Sequence, residues 1–122
     1  GGQGLYVLAR TSNPEGGTIQ LADAGGATVA QHVVDTVAAL NADNDHAVGL
    51  VVGATHRDPG CNLDAFNASI LAPGVGAQGG TIEGLRAVFG PALKYVLPTA
   101  SRDVIGHGRE ALVGRAHALM GL

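Results

Sequence analysis

Four short apolar runs, each followed by a loop and a helical pattern, most constrain what this chain can fold into. The run at residues 48–52 has no polar interruption, which is typical of a strand buried on both faces in a parallel sheet. No tight hairpin signal joins the runs, so the strands require crossover connections. The sequence therefore predicts an α/β fold with a parallel sheet. The four runs occupy residues 5–9, 48–52, 69–72 and 94–97.

Helix signals lie between these runs. Thr28 and Gln31 have the Thr-x-x-Gln form of a capping box, and apolar residues follow at helical spacing as far as Leu40. This pattern predicts a helix that ends at Asn41. Further helical segments are predicted at residues 63–66, at 82–89 before Gly90 and Pro91, and within 103–119 with a start near Arg109 or Glu110.

The loops that follow the four runs form the candidate site, because ligands of parallel α/β folds bind at the carboxyl ends of the strands. A whole (β/α)8 barrel needs ~250 residues. A chain of 122 residues would therefore form about half of such a barrel. A small doubly wound sheet is the alternative, and periodicity does not separate the two. The loops span residues 10–17, 53–57, 73–80 and 98–102.

The third of these loops is rich in glycine. Gly74, Gly76, Gly79 and Gly80 allow positive φ angles and leave backbone N–H groups uncovered, as an anion-binding loop requires. A helix that begins near Thr81 would add the free N–H groups and the positive dipole end of its N-terminus. The segment predicts a phosphate site, and a flexible turn is the alternative.

Composition excludes several classes of partner. The net charge is −3 and no run of Lys or Arg stands out, which argues against nucleic acid and anionic membrane surfaces. No apolar run approaches the ~18 residues of a membrane span. The single cysteine, Cys61, cannot form an internal disulfide, which favours a reducing cytoplasmic location and a passive thiol. The five histidines show no ligand spacing, so no metal site is predicted.

Two of the four loops together resemble those of a known enzyme family. Residues 71–80, LAPGVGAQGG, resemble the phosphate loop after the seventh strand of orotidine 5'-monophosphate decarboxylases, and residues 10–16, RTSNPEG, resemble the loop after the fifth strand. VVGAT at 51–55 is similar to strand six, and LPTASR at 97–102 to the strand-eight loop in its longer bacterial, especially actinobacterial, form. The resemblance runs from about Gly4 to the end. It implies half of a (β/α)8 TIM barrel, with four βα units that correspond to strands 5–8.

The resemblance also implies roles for individual residues. The Gln78 side-chain amide and the Arg102 guanidinium would bind the substrate phosphate, helped by the backbone N–H groups of Gly79 and Ser101. Arginine binds phosphate oxygens in a bidentate way, and the amides add further donors. Ser12 would hydrogen-bond the pyrimidine edge. The apolar wall near the reacting carboxylate would be formed by Pro73 and Val75.

The catalytic motif of the family does not occur in this chain. Family members carry an Asp-x-Lys-x-x-Asp segment with a further Lys just before it, whereas the only lysine here is Lys94, at the start of the fourth run. The resemblance therefore implies no catalytic residue in this chain. It implies that residues 1–122 are the C-terminal half of a single barrel domain whose N-terminal half is absent. This chain alone would be inactive, and the complete protein would be an active carboxy-lyase without metal or organic cofactor.

The partners implied are orotidine 5'-monophosphate, its product UMP, the missing N-terminal half of the barrel and a second copy in a cytoplasmic homodimer. Two other functions remain open at this point. One is a related sugar-phosphate decarboxylase, which would use a similar phosphate loop. The other is a non-catalytic half-barrel module that binds phosphate or self-associates through its open edge strands.

Overall fold

The computed structural model of the chain describes residues 2–76 and 78–120, and its sheet has four parallel strands. Each strand pairs with the next one along the chain, in the order β1-β2-β3-β4. A doubly wound sheet would reverse its strand order at a switch point. The sequential order is that of a partial TIM barrel, which confirms the predicted fold class. The strands are β1 (Leu5–Arg10), β2 (Val48–Val52), β3 (Ile70–Pro73) and β4 (Val96–Thr99).

Helices connect the strands. The long helix between β1 and β2 starts where the capping pattern predicts it, and the helix after the glycine loop spans the eight residues between Thr81 and Gly90. The α-helices are α1 (Gly16–Gln20), α2 (Val29–Asn41), α3 (Ile82–Phe89), α4 (Arg102–Ile105) and α5 (Leu112–Met120), with 3-10 helices at Gly90–Tyr95 and Arg109–Ala111. No helix of the described residues is long and apolar enough to cross a membrane.

The two faces of the sheet have different environments. Leu50, Val52, Ile70 and Ala72 have no exposed surface and form the core with residues of the helices, including Phe89. On the opposite face a row of apolar side chains crosses all four strands and is partly or largely exposed. The row consists of Leu8, Val51, Leu71 and Leu97, which are register partners, with Leu8 61% and Leu97 51% exposed. In a closed barrel such a row fills the interior.

Both ends of α2 are fixed by polar side chains. The Thr28 hydroxyl accepts the Gln31 N–H at 3.0 Å and donates to the Gly60 carbonyl at 2.8 Å. The Gln31 side-chain amide bonds to Asp35 and Asn62. In a full capping box it would instead accept the backbone N–H of Thr28. At the other end, the buried Asn41 pairs with both backbone groups of Val48 at the start of β2.

Two local predictions were wrong. Residues 63–66 form one turn, because the Asn62 side chain accepts the Asp64 N–H and Leu63 and Phe66 both turn into the core. The fourth strand begins at Val96, two residues after the predicted start, because Pro91 opens a 3-10 helix that runs to Tyr95. The last helical segment begins at Arg109, as predicted, with a 3-10 turn that leads into α5 at Leu112. The short helices α1 and α4 were not predicted.

Replacing Asn41 tests how α2 is joined to β2. Asn41→Ala leaves both polar groups of Val48 without their side-chain partner, so we expect a loss of about 2 kcal/mol in the free energy of unfolding. Urea denaturation of the chain measures the effect. Asn44→Ala is the matched control, because the exposed Asn44 side chain makes a single bond to the Leu40 carbonyl. Equal urea midpoints for the two variants would contradict this account of the junction.

Candidate functional site

A cavity of about 200 Å³ opens at the carboxyl edge of the sheet. Parallel pairing of β3 with β4 places Pro73 opposite Thr99, so the loops that leave these two strands start side by side. The cavity lies between these loops. Its lining residues are Pro73, Gly74, Val75 and Gln78 from the first loop and Thr99, Ala100, Ser101 and Arg102 from the second.

The glycine loop is closed by its own backbone hydrogen bonds. The Gly80 N–H donates to the Gly74 carbonyl at 3.0 Å, and the Gly76 N–H donates to the Gly80 carbonyl at 2.9 Å. Gly74 and Gly76 have φ angles of 107° and 75°, which residues with a Cβ atom rarely adopt. Beyond the loop, the Thr81 hydroxyl accepts the Gly84 N–H and begins α3. The predicted order of strand, glycine loop and helix N-terminus is confirmed.

The N–H of Gly79 already has a partner within the loop. It donates to the Gly76 carbonyl at 2.8 Å in a tight turn. Binding of phosphate by this N–H therefore requires a shared hydrogen bond or a rearranged turn. The role predicted for Gly79 stays a prediction with that requirement added.

Ser12 reaches the glycine loop from the end of β1. Its hydroxyl donates to the Gln78 Oε1 atom at 3.0 Å, across 66 positions of sequence. With Oε1 accepting from Ser12, the Gln78 Nε2 group is left as the donor of that amide. Gly53 permits this approach, because a Cβ at Gly53 would lie 3.1 to 3.3 Å from Ser12 atoms. Gly53 belongs to the predicted site loop at residues 53–57, but the sequence analysis gave it no role of its own.

Gln20 of α1 holds the loop that carries Ser12. Its Oε1 atom accepts from the Arg10 side chain at 2.9 Å and from the Thr11 N–H at 3.1 Å, and its Nε2 donates to the Thr11 hydroxyl at 2.8 Å. Thr11 donates in turn to Asn13 at 2.6 Å. The predicted turn is therefore a hydrogen-bonded loop, built on a buried arginine that the sequence analysis did not single out.

Arg102 is the first residue of α4 and is exposed at the cavity. Within the described ranges, its guanidinium forms no ion pair with a carboxylate. Ser101 precedes it, and the Ser101 carbonyl accepts the N–H groups of Val104 and Ile105. A cation without a carboxylate partner at the mouth of a loop rich in backbone donors suits an anionic ligand.

The structure brings the predicted site residues together. Ser12 contacts Gln78, and Gly79 belongs to the same loop but is not among the residues that line the cavity. The others, which line the cavity, are Pro73, Val75, Gln78, Ser101 and Arg102. Their predicted contacts with a ligand stay predictions.

No lysine or histidine of the described residues lines the cavity, although His56 bonds to the loop that carries Ser12. Lys94 precedes β4, at the opposite end of the strand from the cavity, with its ammonium 4.9 Å from the centre of the Tyr95 ring. His32 and His56 bond to the carbonyls of Ala24 and Thr11. In residues 2–76 and 78–120, no group of three or more His, Cys, Asp or Glu could hold a metal ion.

Burial raises the pKa of the Cys61 thiol to about 11, and the negative charge of Asp58 adds to the shift. The thiol is therefore neutral at physiological pH, as expected of a passive residue. Its preference for the neutral form favours folding below the pKa of the unfolded thiol, about 8.5. This contribution is lost as the pH rises through the folded value of about 11.

Alkylation of Cys61 by iodoacetamide tests this environment. In the folded chain we expect the rate to rise about tenfold per pH unit up to about pH 10 without levelling off, because the thiolate is the nucleophile. In urea the rate should level off above about pH 9. Mass spectrometry of timed samples gives both profiles. A folded profile that levels off with the unfolded one would contradict the buried, raised pKa.

The sequence of the chain matches a known protein family. Residues 1–116 match the family model described as "Orotidine 5'-phosphate decarboxylase / HUMPS family". The chain is 52% identical over 120 residues to the orotidine 5'-phosphate decarboxylase of Salinispora arenicola, and 45% identical to that of Streptomyces coelicolor. These alignments cover 96% of this chain but 43% of each relative, so the chain spans less than half the length of the curated relatives it matches.

Solved structures resemble the fold of this chain over about half of their own length. A Toxoplasma gondii protein named as a candidate orotidine-monophosphate decarboxylase superposes with a TM-score of 0.73 at 28% identity, covering 94% of this chain and 47% of its own. The OMP decarboxylase of Leishmania donovani superposes with a TM-score of 0.70 at 21% identity, covering 97% of this chain and 46% of its own. The second similarity concerns the fold alone.

Proposed function

The chain belongs to the orotidine 5'-phosphate decarboxylase / HUMPS family, and we propose that it is the C-terminal half of a barrel that converts orotidine 5'-monophosphate to UMP and CO2. The observation that carries this proposal is the convergence of Ser12, Gln78 and Arg102 on the carboxyl edge of the sheet. A nucleotide has a base and a phosphate to be held at once. Arg102 and Gln78 would hold the phosphate, and Ser12 would hold the base.

The phosphate end of the proposed site combines a charge with neutral donors. Arg102 supplies a planar fork of N–H groups for two phosphate oxygens. The Gln78 Nε2 group and the Ser101 N–H add donors from either side of the cavity, and the Gly79 N–H joins them if its turn opens. A volume of about 200 Å³ holds the phosphate and part of the ribose and leaves the base to extend toward Ser12.

The base end of the proposed site is connected to the phosphate end through one hydrogen bond. Ser12 already donates to Gln78, and its hydroxyl can also accept from, or be redirected to, the polar edge of a pyrimidine. The half-buried Pro73 and the buried Val75 give the reacting carboxylate an apolar wall. Such a wall excludes water and disfavours the charged carboxylate more than the neutral CO2 that leaves.

We assign the proton donor of the proposed reaction to a part of the protein outside residues 1–122. Loss of CO2 leaves an electron pair on the pyrimidine carbon, and an acid must then protonate that carbon. Lys94 lies at the wrong end of its strand, and we assign no catalytic residue to this chain. The chain contributes binding energy at a distance from the breaking bond, which the complete site uses to orient the substrate.

The exposed apolar face of the sheet also supports a site that is shared between this chain and another part of a barrel. The apolar row of Leu8, Val51, Leu71 and Leu97 would be covered by the other half of the barrel, as the 43% coverage of the relatives suggests. A cytoplasmic homodimer belongs to the proposal as well. The absence of lysine near the cavity favours one alternative, a non-catalytic module that binds phosphate. A related sugar-phosphate decarboxylase is less favoured, because the substrate of such an enzyme has no pyrimidine base for Ser12 to bind.

A completed barrel tests the proposed activity. We define it as this chain joined to the N-terminal part of the Salinispora arenicola relative that the chain does not match. We expect the completed barrel to release CO2 from orotidine 5'-monophosphate, which is measured as a loss of substrate absorbance. The chain alone should show no turnover. Turnover by the chain alone would contradict the assignment of the proton donor. A completed barrel that folds, binds UMP and yet stays inactive would favour the non-catalytic module.

Arg102→Ala in the completed barrel tests the phosphate contact. We expect UMP to bind about 1.5 to 3 kcal/mol more weakly, a loss of roughly 10- to 150-fold in affinity. Uridine, which lacks the phosphate, should bind equally to both proteins. Arg109→Ala is the matched control, since Arg109 is exposed and is not among the cavity residues. Isothermal titration calorimetry gives the affinities. Unchanged UMP binding by Arg102→Ala would remove Arg102 from the site.

A further inference from the structure

Arg115 joins the last helix to the loop that carries Arg102. Its guanidinium forms an ion pair with the Asp103 carboxylate through Nη2 and Oδ1, and its Nε donates to the Asp103 carbonyl at 3.0 Å. One side chain thus holds Asp103 by both its carboxylate and its backbone. The contact is partly shielded, with 39% of the Arg115 side chain and 21% of the Asp103 side chain exposed.

The same carboxylate rests against the glycine loop. The second Asp103 oxygen, Oδ2, lies 2.7 Å from the position that a Cβ on Gly76 would occupy, so only a glycine allows this approach. Asp103 follows Arg102 directly in α4, and Gly76 lies between the cavity residues Val75 and Gln78. Asp103 therefore lies between the last helix and the glycine loop, beside the cavity.

Charge gives the pairing a second effect. An unpaired carboxylate next to Arg102 would repel a phosphate and attract the Arg102 guanidinium away from it. With Arg115 bound to Asp103, the negative charge is partly neutralised, and Arg102 keeps its own charge for a ligand.

We propose that Arg115 is a positioning residue for phosphate binding, which acts through Asp103 to hold the Ser101–Arg102 turn against Gly76. This inference rests on the proposed function for the identity of the ligand. The contact between the two loops exists without a ligand, so that part of the inference is independent of the proposed function. The two parts can therefore be tested separately.

The first test uses the chain without any nucleotide. We expect Arg115→Ala to shift the backbone amide signals of Gly76 and Arg102 in a ¹H–¹⁵N NMR spectrum, whereas Arg109→Ala leaves both signals in place. Gly76→Ala approaches the same contact from the other side and should shift the Arg102 signal too. If Arg115→Ala moves neither signal, the inference is overturned, whatever the complete protein binds.

The second test uses the completed barrel and two ligands. We expect Arg115→Ala to weaken UMP binding about tenfold while uridine binding stays unchanged, because only the phosphate contacts lose their geometry. Arg115→Lys should restore part of the loss, since an ammonium can pair with the carboxylate but cannot also reach the carbonyl with a fixed fork. A merely structural role would lower the fraction of competent protein for both ligands and leave their affinity ratio unchanged.

The outcomes separate the two proposals. If the parent barrel binds no UMP but the NMR signals move as expected, the proposed function fails and the contact stands. If the parent binds UMP and Arg115→Ala binds it equally well, the positioning role is overturned and the proposed function stands. Arg115→Lys keeps the test decisive where Arg115→Ala does not fold, because its UMP affinity should lie measurably below that of the parent.

Discussion

The parallel register between β3 and β4 is the constraint on which the candidate site depends. Pairing of Pro73 with Thr99 makes both strands end at the same level, and the two loops that follow then face each other across a cavity of about 200 Å³. A shift of one residue would turn the side chains of β4 to the opposite face of the sheet. Burial of Ile70 and partial burial of Val96 on one face, with Leu97 51% exposed on the other, fit the observed register. The same pairing that packs Ile70 and Val96 against the core thus places the two loops of the site side by side.

Local sequence signals were sufficient for the framework and for the order of strand, glycine loop and helix N-terminus. The continuous apolar run of β2 has the predicted bounds, and the capping threonine starts α2 at the predicted residue, because both signals act within a few positions of the chain. The contacts that hold the loops in place could not be predicted. The Gln20 bonds to Thr11 and the Asp103 contact with Gly76 depend on tertiary proximity, and neither residue has a distinctive local pattern. The 3-10 helix before β4 was missed because its proline was interpreted only as a helix stop.

The site and the open face of the sheet support one division of labour. The residues that we propose to hold a nucleotide lie at the carboxyl ends of strands whose apolar face is exposed at Leu8 and Leu97. Lys94, the one lysine of the sequence, lies at the far end of β4 from the cavity. Binding energy from a phosphate that does not react can still accelerate a reaction, because it offsets the entropic cost of orienting the substrate. The role that we propose for these residues is to fix the position of the nucleotide relative to groups supplied by another part of a barrel.

A crystal structure of the completed barrel with UMP would test the central claim most directly. The account predicts that the phosphorus atom lies in the cavity between the glycine loop and the Ser101–Arg102 turn, with the Arg102 guanidinium and the Gln78 amide nitrogen both within hydrogen-bond distance of its oxygens. It also predicts that the pyrimidine ring extends toward Ser12. A phosphate bound elsewhere, with Arg102 directed away from it, would contradict the account.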